Sequence, residues 1–257
     1  MTSKGELLSE LYQARFDRLK EIATSYQMPK NGSVESLRAK LIANLILDEW
    51  DLGKGDIKSL KNKDIGQILY ARGEFSEYLP DWHPYEDYRT FYMAKKEQGG
   101  GALLDESHGI DLIRYLIGEI IEVSAFVGKI SDLKITSDDI AILNLKTNKN
   151  SYIQINFDLL ARFPRNNLEI VGTKGTIIID RVDHYLKIFS VKNKSWKKFK
   201  YKKDDFLKMY KQQAFYFMDC INKRKRTIID INDALKTQSI IDSAFLSSKI
   251  KRNVKIK

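Results

Sequence analysis

One cysteine, Cys220, stands among 257 residues. No disulfide can form within the chain, and this usage fits a reducing cytoplasm. Long apolar runs are also missing. The best candidate, "LIRYLIGEIIEV", is interrupted by charges and falls short of the roughly 20 residues that span a bilayer. The N-terminal stretch "MTSKGELLSELYQARFDRLK" carries acids early and has no apolar centre, so it does not read as a secretory signal. There is no internal repeat and no low-complexity tract beyond an enrichment in lysine. No second histidine or cysteine sits at ligand spacing from His108, so the sequence predicts no metal site.

What is present is an ordinary globular balance: 43% hydrophobic and 30% charged residues, with a formal net charge of +10. The charge is unevenly spread. Residues 1–52 are nearly neutral, with a slight excess of acids. The surplus sits in "KNKSWKKFKYKK" (192–203), "KRKR" (223–226) and the tail "SKIKRNVKIK". In the first of these, lysines alternate with Trp196, Phe199 and Tyr201, as on a solvated edge strand. Nucleic acid is therefore not the expected partner, although the surplus alone would suggest one.

Two regions of different texture follow. Residues 6–26 and the segment "LRAKLIANLILDEW" repeat apolar residues at helical spacing, separated by the breakers Pro29 and Gly32. Ser33 or Ser36 can cap the second helix. A linker, "DLGKGD", leads to a strand-rich region, which sets the domains at 1–52 and 53–257. "IGQILYARGEF" reads as a strand, "YEDYRTFYMAKKEQ" as a helix and residues 105–117 as a second helix. Seven strand-like runs follow between residues 120 and 202, joined by short turns such as "TNKN" and "GTKG". Two helices close the chain. Strands in succession flanked by segregated helices predict an α+β fold, a largely antiparallel open sheet with helices on one face.

Chemistry concentrates in "GGGALLDESHGID" (99–111). Three glycines allow another backbone or a flat ligand to approach closely. If Asp105 caps the following helix, His108, Asp111 and Tyr115 fall on one polar stripe at about 100° per residue. Ile110, Leu112, Ile113, Leu116 and Ile117 then cover a different arc. A carboxylate one turn from an imidazole can fix its tautomer and raise its basicity, as an acid/base pair requires. The same spacing also serves a purely structural pair. His83 and His184 read as structural.

From Ile65 onward the segments "DIGQILYARGEF", "YLPDWHPYEDYRTFYMAKKEQGGGALLDESHGIDLIRYLIGE", "NLEIVGTKGTIIID" and "INDALKTQSIIDSAFLSSKIKRNVKI" occur in the order found in the Gfo/Idh/MocA (glucose–fructose oxidoreductase / inositol dehydrogenase) family. The chain resembles that family's C-terminal domain, which has a dihydrodipicolinate-reductase-like fold. The resemblance implies a chain acting on a sugar, nucleotide sugar or polyol. It implies a proton-handling role for His108 with Asp111 or Asp105, although two residues separate Asp105 from His108 where the family commonly has three. It implies a substrate side formed by Tyr85, Asp87, Tyr88 and Arg89, with Arg162 or Arg165 meeting a hydroxyl or phosphate. It also implies a homo-oligomer paired through the open sheet face, for which the alternation of Ile153, Ile155 and Phe157 gives support.

The family's nucleotide-binding half, with its G-x-G-x-x-G turn and Glu-Lys-Pro lysine, has no counterpart in the sequence. "GKGD" lacks the third glycine, and "GGGALL" follows a predicted helix instead of a strand. The expectation is that this chain binds no cofactor alone and that NAD(P) enters only with a separate nucleotide-binding (Rossmann) partner. The alternatives are a non-catalytic sugar-binding or scaffold relic, or a nucleic-acid-associated protein. The last would use the N-terminal helices, where residues 1–50 resemble a SAP-type helix–loop–helix.

Overall fold

The computed structural model describes residues 16–25, 65–200 and 205–256. The chain divides into two units, Met1–Gly55 and Asp56–Lys257. In the first, the described element is helix α1 (Phe16–Ser25). The SAP-like loop, the predicted second helix and the "DLGKGD" linker lie outside the described residues.

Among its described residues the second unit has nine strands: β1 (Ile68–Tyr78), β2 (Ile120–Gly128), β3 (Ile140–Thr147), β4 (Tyr152–Asp158), β5 (Leu160–Gly172), β6 (Gly175–Asp180), β7 (Tyr185–Ser190), β8 (Ser195–Lys200) and β9 (Val254–Lys255). They form one sheet in the order β8-β7-β6-β5-β1-β4-β3-β2-β9. Each neighbouring pair is antiparallel except β1 with β4, which run parallel. This is the largely antiparallel sheet that the short turns predicted. The parallel pair arises because β1 inserts between β4 and β5, which are joined through Leu159 alone. The C-terminal ends of β1 and β4 therefore emerge side by side, with Ser76 opposite Asp158.

Strand periodicity assigns the two faces. Ala71, Phe75, Leu143, Leu145, Ile153, Ile155, Phe157, Ile170 and Ile177 are buried. Their neighbours in the alternation point the other way, leaving Tyr70, Phe126, Ile142 and Tyr152 exposed. This corrects one expectation. Ile153, Ile155 and Phe157 belong to the core; the open face of β4 carries Tyr152, Gln154 and Asn156.

Helices α2 (Leu79–Trp82), α3 (Ala102–Asp105), α4 (His108–Leu116), α5 (Asp205–Asn222) and α6 (Ile231–Ile250) complete the unit. Ile110, Ile113 and Ile117 bury the apolar arc of α4 as its sequence predicted. The predicted helix over 85–98 does not form. Three 3-10 turns replace it, Tyr88–Thr90, Tyr92–Ala94 and Lys96–Gln98. Extended backbone at Asp87, Phe91 and Lys95 interrupts the chain every fourth residue. At the first break the Asp87 carboxylate accepts the Arg89 backbone N–H, a local bond that competes with helix propagation.

Candidate functional site

The glycine run has a backbone role. Gly99 closes the last 3-10 turn in a left-handed conformation. At Gly100 a Cβ would stand 2.1 Å from the Tyr92 carbonyl oxygen, and at Gly101 (φ +126°) 2.2 Å from a carboxylate oxygen of Asp138. Asp138 in turn accepts the Leu103 N–H at 3.0 Å. The space beside Gly100 and Gly101 is filled by backbone and by an anionic side chain. It does not suit a pyrophosphate, and among the described residues no strand–glycine turn–helix offers an alternative cradle. The residues described here do not fit a dinucleotide.

The predicted helix 105–117 is two pieces. Asp105 ends α3 instead of capping α4, and the chain turns at Glu106 (φ −86°, ψ 14°) before α4 begins at His108. The turn brings the Glu106 side chain back beside the imidazole. Glu106 Oε2 lies 3.3 Å from His108 Nε2, and the carboxyl side chain is only 15% exposed. One edge of the His108 ring faces solvent, while Phe75 meets it edge-on, with ring centres 5.7 Å apart. The Asp105 carboxylate accepts the Tyr92 hydroxyl.

Acids crowd this corner. Burial, then the nearby charges of Asp105, Glu77 and Asp158, push the Glu106 carboxyl up to about 7, against a lowering pull from Arg181. Burial and Asp105 raise Glu77. The hydrogen bond to Asp105, helped by burial, pushes the Tyr92 phenol up to about 12. Burial and Arg181 lower the His108 imidazole, partly offset by Asp105. Removing charge from a partly dry site here outweighs the attraction between carboxylate and imidazolium.

Asp111 goes elsewhere. Its carboxylate meets the Arg114 guanidinium at 3.1 Å and the Thr237 hydroxyl at 3.1 Å. Arg114, with a side chain 3% exposed, also bonds Glu119 at 3.1 Å and Asp233 at 2.8 Å. The residue expected to orient His108 instead anchors α4 to α6. Sequence reasoning passed over Glu106, Glu77, Tyr92 and Arg181. The signal for Glu106 lay within "DESH" itself.

The residues expected on the substrate side are scattered. Tyr85 is 76% exposed and its hydroxyl meets His83 Nδ1 at 2.8 Å. Asp87 and Arg89 pair with each other through several hydrogen bonds. The Tyr88 hydroxyl accepts the Lys134 N–H at 3.2 Å. Arg165 Nη1 lies 3.3 Å from Glu74 on the open face. Arg162 alone borders the acidic corner: its guanidinium stacks 3.7 Å over the Tyr78 ring. Both line a cleft of about 170 Å³ with Glu77, Asp81 and Trp82. Among the described residues no group of three or more His, Cys, Asp or Glu side chains is arranged to hold a metal ion, and no helix is long and apolar enough to cross a membrane.

The site is thus a histidine set among carboxylates where the parallel strands β1 and β4 end, on an α+β unit. Residues 58–178 match the model of the GFO/IDH/MocA C-terminal domain family. The chain is similar to the 2,7-anhydro-N-acetylneuraminate hydratase of Mediterraneibacter gnavus, with 27% identity over 134 residues, covering 49% of this chain and 33% of that protein. Its fold matches a levoglucosan dehydrogenase solved with NADH, with a TM-score of 0.69 at 18% identity over 79% of this chain and 62% of the other. It also matches the WlbA dehydrogenase of Bordetella pertussis solved with NADH and UDP-GlcNAcA, with a TM-score of 0.61 at 17% identity over 79% and 59%. The chain thus spans about a third of the hydratase and about three fifths of the solved relatives.

Proposed function

We propose that residues 56–257 form the substrate-side half of a sugar oxidoreductase. His108 takes or gives the proton of a substrate hydroxyl, and NAD(P) is held by a separate nucleotide-binding partner. The observation that carries this reading is the His108 ring, open on one edge and set against Glu106 and Asp105, with Glu77, whose charge acts on Glu106, also lining the Arg162 cleft. That cleft is smaller than the roughly 300–1,000 Å³ of a complete small-molecule site. A second wall from another chain would close it. The ligand class is a small sugar or anhydro-sugar, in line with the compounds named for the relatives, and Arg162 supports the choice with a flat cationic surface for hydroxyls. The open sheet face, with Tyr70, Phe126, Ile142 and Tyr152, pairs with a second copy.

The test is reconstitution. The protein is mixed with candidate nucleotide-binding chains, NAD(P) and either 2,7-anhydro-N-acetylneuraminate or levoglucosan, and absorbance of the reduced cofactor is followed. Turnover should appear only in the mixture and fall at least about 100-fold with His108→Asn, the usual scale for losing a general acid/base. Tight NAD(P) binding by this chain alone in calorimetry would overturn the division of labour.

A further inference from the structure

Within the acidic corner, one pair stands apart from the residues that the family resemblance marks. Glu106 reaches His108 only because the chain breaks between α3 and α4. Its carboxyl is nearly enclosed, whereas the imidazole keeps one open edge. We propose that Glu106 and His108 work as a unit holding one shared proton between Oε2 and Nε2 at neutral pH, with Glu106 the positioning residue that sets the protonation state of His108. The chemical consequence rests on the proposed function above; the pairing itself does not.

The surroundings favour a single proton. Glu77 from the end of β1, Asp105 from α3 and Asp158 from the end of β4 all face the pair with negative charge, and Arg181, just after β6, opposes them. Tyr92 bears on the pair through its bond to Asp105. Three acids against one base raise the cost of a bare Glu106 carboxylate. Burial against Phe75 raises the cost of an imidazolium. The net-neutral pair, with one proton, is the state both pressures permit. When a substrate oxygen takes that proton, the pair is left as carboxylate and neutral imidazole. When a substrate hydroxyl releases a proton to the pair, it becomes carboxylic acid and imidazolium. Proton count balances in both directions, and no other reactant is needed.

The experiment follows the His108 imidazole by NMR across pH in the full chain, with its signal assigned from His108→Asn. In the wild type the His108 shifts should report two proton-binding steps. In Glu106→Gln they should report one, about one pH unit or more below the upper wild-type step. In His108→Asn the Glu106 carboxyl signal should lose the same two-step shape, which keeps the test open if Glu106→Gln folds poorly. Superimposable His108 curves in wild type and Glu106→Gln would overturn the proposal. If the curves superimpose while His108→Asn still abolishes turnover in the reconstituted mixture, the pairing fails and the functional reading stands. Coupled titration without turnover in any mixture leaves the pairing standing and removes the functional reading.

Discussion

At the scale of single residues, the acidic corner makes stability depend on pH in an unusual direction. Glu106 has a carboxyl pushed up to about 7 by burial and its acidic neighbours. In the unfolded chain it returns to the ordinary carboxylate range. Between those two values the folded protein binds more protons than the unfolded one, so unfolding free energy falls as pH rises. The expected loss across about pH 4.5 to 7 is about 3 kcal/mol, since each unit of displacement is worth about 1.4 kcal/mol. Urea midpoints measured along that range should decline in the wild type relative to Glu106→Gln, which lacks the ionisation. Equal pH slopes for the two proteins would contradict it. The residue scale also shows what was legible. His108 and its polar stripe could be read from spacing alone. Its true partner could not, because on a continuous helix residues 106 and 108 point about 200° apart. Only the break at Glu106–Ser107 joins them.

At the scale of elements, α4 and α6 are tied by one enclosed guanidinium. Burial works against the charge of Arg114, and its bonds to Asp233 and Glu119 override that cost. Glu119 in turn lies below the ordinary carboxylate range: burial pulls it upward, and the bonds from Arg114 and Lys236 prevail. Replacing Arg114 with alanine removes several charge-assisted hydrogen bonds. The carboxylates left behind are 40%, 43% and 32% exposed at Asp111, Glu119 and Asp233, so water restores part of the loss. The expected cost is about 2–3 kcal/mol, read as a lower urea midpoint at unchanged slope. A change below about 0.5 kcal/mol would show that the network adds little. α6 also guards the sheet. β9 pairs with β2 only at Glu122 and Val123, and beyond it Ser247 and Ser248 accept the Ala125 and Val127 N–H groups at 3.0 and 2.8 Å. Side-chain hydroxyls continue the ladder where the strand stops, which leaves fewer open donors on that edge.

At the scale of the whole molecule, the two sheet faces have different fates. The inner face is covered by helices of the same unit. The outer face keeps Tyr70, Phe126, Ile142 and Tyr152 in water, 36–55% exposed, around a shallow cleft of about 290 Å³. Pairing of this face with a second copy predicts a mass above that of one chain by light scattering. A Tyr152→Glu, Ile142→Lys double substitution should return it to one chain, because desolvating these charges opposes association. An unchanged mass would place any contact elsewhere. At the opposite edge, β8 is exposed along its whole length. The lysine-rich strand thus occupies the solvated edge that its composition suggested.

The sequence by itself determined the α+β class, most strand positions, the buried arc of α4 and the presence of a histidine in an acidic setting. These follow from short-range patterns: period two in strands, period 3.6 in helices, and turn residues between them. The tertiary structure decided the rest. It inserted β1 between β4 and β5, so that two strand ends deliver Glu77 and Asp158 to one corner. It drew Asp111 away to Arg114, which is held by Asp233 and Thr237 from a helix more than a hundred residues later. It broke one predicted helix into two and another into 3-10 turns. Burial and long-range charge govern these outcomes, and both depend on which distant segments meet, which no local spacing encodes.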